Sequence, residues 1–134
     1  MTLLERVLEH EGFESKPYPD PISGGDPYTF GHGLTYITEA ESRRIVTERL
    51  EQLRDAMVAI HPWLSESPIE VLEVVVEMAF QMGIRGTNLF RKMWVALQRG
   101  DYETAADEML DSRWAKQTPN RAKALSDIVR GCDA

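Results

Sequence analysis

The chain is nearly devoid of cysteine. Of its 134 residues only Cys132, close to the C-terminus, carries a thiol. No disulfide can therefore form within the chain, and the fold must depend on packing alone. We interpret Cys132 as a thiol at a frayed terminus. With 43% hydrophobic residues, the chain is the size of one compact domain with a single core.

Long apolar runs and an excess of basic residues are also missing. No run is long enough to span a membrane, and residues 1–11 lack the basic start and apolar stretch of a secretion signal. We expect a protein made in the cytoplasm, without stable membrane insertion. The formal net charge is −7, which argues against a nucleic-acid partner because Lys and Arg neutralise phosphate backbones.

The first third of the chain contains one helix followed by a short non-helical segment. Thr2 and Glu5 form a capping box, and apolar residues recur at helical spacing until Gly12 offers a stop. We therefore predict a first helix over residues 1–12. Proline and glycine interrupt the helical period over residues 13–37, where short strand-like pieces predict a small β lobe.

The remaining sequence predicts a connecting helix and a helical lobe. A second capping box, Thr38 with Glu41, opens a helix over residues 38–61, and residues 62–134 carry further helix signals. The helices predicted in this lobe are a buried central one, which begins after an N-cap at Ser67 and contains Val71 to Met82, then Asn88 to Arg99, Tyr102 to about Ser112 capped by Asp101, and Pro119 to Arg130 capped by Thr118. The pattern indicates an α+β, predominantly α fold forming a single domain over residues 1–134.

Two carboxylates bound a segment rich in glycine and tyrosine. Glycosidic bond hydrolysis needs one carboxyl that is protonated and another that is ionised. Glu11 lies at a helix C-terminus, where the partial negative charge disfavours an ionised carboxyl and suits a proton donor. Asp20 lies among turns of a solvated lobe and is expected to remain an anion. Such a pair is common on protein surfaces, so its meaning depends on the surrounding motifs.

The surrounding motifs carry a family resemblance. The segments HEG at residues 10–12, Tyr18-x-Asp20 and YTFGHG at residues 28–33 resemble the N-terminal signature of the T4-type phage lysozymes, glycoside hydrolase family 24. In the second half, AFQMG at residues 79–83, SRW at 112–114 and QTPNRA at 117–122 are similar to that family's helical-lobe segments, in the same order. The resemblance implies a lysozyme-like fold, with a β lobe and a helical lobe joined by a long helix.

The resemblance also implies residue roles. Glu11 corresponds to the general acid, Asp20 to the carboxylate that activates water, and Thr29 to the threonine that positions that water, in an inverting hydrolysis of the β-1,4 bond between N-acetylmuramic acid and N-acetylglucosamine. Arg121 corresponds to a residue that supports the acid. The positions that correspond to cleft residues, which would hold sugar rings and the peptide stem, are Phe80, Gln81, Met82, Arg113, Trp114 and Asn120.

The resemblance further implies a cellular role in host cell lysis. The partner would be a peptidoglycan glycan strand with peptide stems, and no cofactor would be needed. We expect a monomer that depends on a holin for release from the host cytoplasm to the periplasmic wall.

Simpler interpretations stand beside these roles. Without the resemblance, Phe80, Met82 and Trp114 would be ordinary core residues, and Arg113 and Arg121 would be solvated helix charges.

The histidines raise the question of a metal. His10 and His32 could join Asp20 around zinc, but the chain has no paired spacing such as His-x-x-x-His, so we expect no metal. We interpret His61 as a helix-end residue.

The chain departs from the T4-type pattern in three places. Three extra residues separate Asp20 from Thr29, and the usual Gly-x-Gly-His order reads Gly31-His32-Gly33-Leu34. The link into Thr38 is also short, which would remove part of the cleft rim. Three alternatives remain open: a lytic transglycosylase, a wall-binding or tail-associated module with weak or no turnover, and a chain trimmed or engineered from a longer lysozyme.

Overall fold

The computed structural model describes residues 2–19 and 28–133 of the chain. The chain divides into two compact units, Met1–Ile45 and Val46–Ala134, and the division falls within one long helix. The described residues are predominantly helical and include a two-stranded antiparallel sheet. The predicted α+β, predominantly α class is thereby confirmed.

The described residues form a helix, two strands and then a series of helices. They are α1 (Leu3–Glu11), β1 (Glu14–Pro19), β2 (Tyr28–Gly31), α2 (Glu39–Ile60), a 3-10 helix (Pro62–Glu66), α3 (Ile69–Asn88), α4 (Arg91–Gln98), α5 (Tyr102–Leu110), α6 (Arg113–Gln117) and α7 (Pro119–Arg130). The 3-10 helix and α6 were not among the sequence predictions. No helix of the described part of the chain is both long and apolar enough to cross a membrane.

Both predicted capping boxes are present. At the start of α1, the Thr2 N–H donates to Oε2 of Glu5 at 2.8 Å, and the Glu5 N–H donates to Oγ1 of Thr2 at 3.1 Å. Before α2, the N–H of Thr38 donates to Glu41 at 2.9 Å and the N–H of Glu41 donates to Oγ1 of Thr38 at 3.1 Å. Each box satisfies two backbone donors that the helix cannot pair internally.

The sheet of the first unit is a short antiparallel pair. Tyr18 of β1 lies opposite Thr29 of β2 along the backbone, and Glu14 lies opposite Gly31. Beyond β2 the chain turns tightly, since Phe30 and Leu34 exchange two backbone hydrogen bonds of 2.8 Å. This turn follows the strand that carries Thr29 and returns the chain towards α2.

The second unit is built around α3, the buried central helix that the sequence predicts. The buried side chains of α3 are Val71, Leu72, Val74, Val75, Val76, Met78, Ala79 and Thr87. The apolar ones belong to a core that includes Met93 and Leu97 of α4 and Val129 of α7, and Thr87 is a buried polar residue. Each fully buried aliphatic side chain stabilises the fold by roughly 1.5–3 kcal/mol relative to an exposed one.

Two predicted side-chain caps are absent, and a third is present. The hydroxyl of Ser67 donates to the carbonyl of Trp63 at 3.2 Å, and that of Thr118 donates to the carbonyl of Trp114 at 3.0 Å. Neither hydroxyl caps the following helix, because each bonds back to the preceding turn. Asp101 does cap α5, since its carboxylate accepts the Thr104 N–H at 3.2 Å.

The predicted helix over Asn88 to Arg99 is wrong at its start. The chain leaves helical geometry at Gly83 (φ 86°, ψ 160°), resumes it as far as Asn88, and begins α4 only at Arg91. A side-chain hydrogen bond spans the break between the two helices, since Nε1 of Trp94 donates to the carbonyl of Thr87 at 2.9 Å. That bond holds the last turn of α3 in place.

His61 does lie at a helix end, directly after α2, but it has further contacts, and the interpretation of Cys132 needs correction. The His61 ring stacks on Trp94 with centroids 3.8 Å apart, and its Nε2 lies 2.9 Å from Oδ1 of Asn88, so His61 is more than a helix-end residue. Cys132 is partly buried against the core, and its thiol donates to the carbonyl of Ile128 at 3.4 Å. Burial raises the pKa of this thiol, and the terminus is not frayed at this point.

Candidate active site

Glu11 is the last residue of α1, and its side chain is exposed. The carboxyl lies against the turn that follows β2. A Cβ built on Gly33 would meet Oε2 of Glu11 and would lie 2.7 Å from the carboxyl carbon. Gly33 also has φ of 74°, in the left-handed region that favours glycine. The helix end and the GHG turn therefore meet at the carboxyl predicted to donate a proton.

A second contact joins the same two segments. The rings of Phe13 and His32 lie 5.4 Å apart, centroid to centroid, at an interplanar angle of 47°. Phe13 follows Glu11 by two residues, and His32 immediately precedes Gly33. The histidine that departs from the T4-type order thus has an aromatic neighbour, which the sequence alone did not indicate.

The hydroxyl of Thr29 is buried and has no partner within the described part of the chain. Its Oγ1 is inaccessible to solvent, and it has no hydrogen-bond partner among the residues that the structure describes. An unsatisfied buried hydroxyl costs free energy, so such atoms are uncommon away from functional sites. Asp20, the predicted partner in water activation, lies outside the described residues, as does most of the segment that contains the three extra residues.

Two of the predicted substrate-binding residues are hydrogen-bonded to each other. Nε1 of Trp114 donates to Oε1 of Gln81 at 2.8 Å, and the Trp114 ring meets Phe90 edge to face at 6.0 Å. Trp114 is only 7% exposed, so the core interpretation is correct for most of its indole. Its single polar atom fixes the amide of Gln81.

Arg113 and Trp114 line a groove of about 510 Å³ in the second unit. Apolar and charged side chains share it, and the residues lining it are Gly86, Leu89, Phe90, Arg91, Lys92, Met93, Glu108, Asp111, Ser112, Arg113 and Trp114. A groove lined by both apolar and charged side chains can hold a chain that has both sugar and peptide parts.

The remaining predicted binding residues lie elsewhere in the second unit. Phe80 is 41% exposed and lines a different groove, beside Leu53 and Ala56 of α2. Met82 is half-buried, and Asn120 is exposed in the first turn of α7. Among the predicted binding residues, Arg113 and Trp114 therefore line one groove, Phe80 lines another, and Asn120 lies in an exposed helix turn.

Arg121 forms an ion pair that sequence reasoning missed. Its Nε donates to Oε2 of Glu77 at 2.8 Å, and both side chains are about 40% exposed, at 40% and 43%. The pair joins α7 to α3, one turn before Phe80. The support of Glu11 by Arg121 remains a prediction from the family resemblance.

Among the described residues, no group of three or more His, Cys, Asp or Glu side chains could hold a metal ion. The hypothetical zinc set includes Asp20, which lies outside that part of the chain. His10 sits in the last turn of α1, where a basic side chain suits the helix dipole.

Comparison with known proteins identifies the class. A family model described as phage lysozyme matches residues 8–130, so the chain belongs to the phage lysozyme family, and the resemblance read from its motifs is confirmed. Over 52 residues, 39% of this chain, it is 42% identical to the pre-baseplate central spike protein Gp5 of Enterobacteria phage T4. Over 55 residues, 41% of this chain, it is 31% identical to the probable T4-type lysozyme 1 of Dictyostelium discoideum. The matches span 9% and 32% of those two proteins.

Proposed function

We propose that this protein is a muramidase, which hydrolyses the β-1,4 bond between N-acetylmuramic acid and N-acetylglucosamine in bacterial peptidoglycan. Membership of the phage lysozyme family supports a glycosidase of the lysozyme type. The observation that carries the proposal is the position of Glu11, an exposed carboxyl at a helix end that lies close against Gly33 of the GHG turn. A proton donor must be both accessible and fixed in orientation.

The proposed reaction is a single displacement with inversion. Glu11 donates a proton to the glycosidic oxygen as the bond to the anomeric carbon breaks. Asp20 takes a proton from a water molecule that attacks the opposite face of the same carbon. Thr29 is assigned to the positioning of that water on the family resemblance alone, since its Oγ1 is closed to solvent in the described part of the chain.

The substrate would be a glycan strand with peptide stems. Gln81, Arg113 and Trp114 would contact it, since the Gln81 amide is fixed by Trp114 and Arg113 lines a groove. Phe80, Met82, Asn120 and the supporting Arg121 are included in this proposal on the family resemblance alone. We propose further that the protein acts as a monomer without a cofactor, and reaches the wall after release by a holin to lyse the host.

The test is the product profile of purified Gram-negative peptidoglycan, resolved by mass spectrometry. We would compare the unmutated protein with Glu11→Gln and with the matched control Glu9→Gln, an exposed residue of the same helix. The proposal expects reducing-end disaccharide peptides from the unmutated protein and from Glu9→Gln, and none from Glu11→Gln. Equal release by Glu11→Gln would overturn the assignment of the acid.

The same assay addresses the transglycosylase alternative. A lytic transglycosylase uses the hydroxyl of the muramic acid itself and needs no second carboxylate, so the presence of Asp20 and Thr29 argues against it. Anhydro-muramyl products would show that this argument fails.

A second candidate function is a tail-associated or wall-binding module without turnover. The observation in its favour is the 42% identity to a protein named as a pre-baseplate central spike protein. In the same experiment, sedimentation of both the unmutated protein and Glu11→Gln with the wall, without any released product, would favour this module over the muramidase.

A further inference from the structure

The Glu11 carboxyl occupies space that is open only because residue 33 is a glycine. The carboxyl of Glu11 fills the position that a side chain at residue 33 would need, with its carbon 2.7 Å and its Cγ 3.2 Å from a Cβ built there. Real Cβ atoms do not approach neighbours at 2.7 Å, so Glu11 or the turn would have to move. The contact is therefore specific for a residue without a side chain.

The other glycine of the GHG turn differs in this respect. Gly31 also has positive φ, 57° against 74° for Gly33, and a Cβ there would meet only Leu34, at an ordinary 3.4 Å. Both glycines are thus suited to the turn by backbone conformation. Of the two glycines, only Gly33 lies close to a carboxyl.

We propose that Gly33 is a positioning residue for the general acid. Because Gly33 has no side chain, the Glu11 carboxyl can lie directly against it, and we call this contact the seat of Glu11. The packing of Phe13 against His32 holds the same turn to the end of α1. The proposal rests on the proposed function, in which Glu11 donates the proton. It gives His32 a packing role in this chain, as a second positioning residue beside the seat.

The first test compares Gly33→Ala with Gly31→Ala in steady-state hydrolysis of peptidoglycan. Gly33→Ala should lower kcat by about 100-fold, because a displacement of roughly 1 Å at a reacting group has that effect, with little change in KM. Gly31→Ala imposes similar backbone strain without touching Glu11, so it should keep most of its kcat. An equal loss of kcat in both variants, or none in either, would overturn the positioning role.

His32 is tested by conservative rescue. His32→Phe preserves an aromatic ring beside Phe13 and should keep kcat, whereas His32→Ala should lower it. A loss in both variants would show that the imidazole itself is needed and would overturn the packing role.

The second test measures the contact without activity. Thermal midpoints are compared for Gly33→Ala in the unmutated background and in a Glu11→Ala background, as a double-mutant cycle. Gly33→Ala should lower the midpoint less when Glu11 is truncated, because the collision is removed, while Gly31→Ala should have the same effect in both backgrounds. Equal effects of Gly33→Ala in the two backgrounds would overturn the contact.

The two tests separate the possible failures. An unmutated protein that releases no product would overturn the proposed function and, with it, the role of Gly33 in acid catalysis, although the midpoint cycle would still show whether the contact exists. An active protein in which Gly33→Ala retains full kcat would overturn the positioning role and leave the muramidase proposal standing.

Discussion

At the scale of single residues, Thr29 combines a cost to stability with a proposed role in catalysis. Its buried Oγ1 lacks a partner among the described residues. Replacing it with Val should therefore raise the free energy of unfolding by about 1 kcal/mol, because an unsatisfied hydroxyl is removed, while hydrolysis becomes slower. Urea unfolding and product release would measure the two effects.

Thr29→Ser is the control, since it keeps the hydroxyl and should retain more activity than Thr29→Val. A Val variant that is both less stable and fully active would contradict the prediction and would indicate an ordinary strand residue.

The bond between Trp114 and Gln81 allows a second residue-scale prediction. Trp114→Phe keeps an aromatic ring but loses the Nε1 donor, which lies 2.8 Å from Oε1 of Gln81. The variant should lose about 1 kcal/mol of unfolding free energy beyond the effect of the smaller ring, because a partly buried amide loses its donor. A double-mutant cycle with Gln81→Met would isolate that coupling, and a coupling energy near zero would refute it.

At the scale of secondary-structure elements, the cap of α5 depends on an ionised carboxylate. Hydrogen bonds from Thr104 hold the pKa of Asp101 below its usual value. A lowered pKa means that the stabilisation is present above the pKa of the unfolded chain and disappears as the pH falls through the folded value. Asp101→Ala should therefore lower the thermal midpoint at pH 7, and the difference from the unmutated protein should shrink below about pH 4.

The matched control for this cap is Asp111→Ala, an exposed aspartate that follows α5 and accepts no side-chain cap bond in the described structure. It should change the midpoint less than Asp101→Ala does at pH 7. A difference between Asp101→Ala and the unmutated protein that grows on acidification would have the wrong sign for a capping carboxylate.

The break in α3 is a second feature at this scale. Gly83 has φ 86° and ψ 160°, a region essentially confined to glycine, and a Cβ there would meet nothing within 4 Å. Gly83→Ala should destabilise the protein by about 1–3 kcal/mol through backbone strain alone. Gly131→Ala is the comparison, because Gly131 has ordinary helical φ of −79° and its replacement should be neutral or slightly stabilising. Similar losses in chemical denaturation would argue against strain at the break.

At the scale of the whole molecule, net charge should govern the response to salt. The chain carries a formal charge of −7, and bacterial walls are anionic, so there is no net attraction for salt to screen. If the muramidase proposal holds, activity should fall less between low and moderate ionic strength than that of a basic lysozyme. Turbidity clearance of the same wall preparation across a salt series would measure this, and a steep loss would contradict it.

The sequence determined those features whose causes lie within a few residues. The capping boxes Thr2–Glu5 and Thr38–Glu41 formed as predicted because their partners are three positions apart. The central helix could be predicted because its sequence is apolar on most sides, as is typical of a buried helix. The family could also be recognised from the sequence, because its motifs consist of residue types in a given order.

Only the tertiary structure decided the contacts between residues that are distant in the chain. The last turn of α3 is held by Trp94, and His61 stacks on that same indole, although nothing in the local pattern indicates either partner. The close approach of Glu11 to Gly33 joins residues that lie far apart in the sequence, and the lack of a partner for Thr29 among the described residues depends on how its neighbours pack. Such contacts form only when helices and strands pack together. Their free energy depends on distances between atoms in space, which cannot be obtained from the order of residues along the chain.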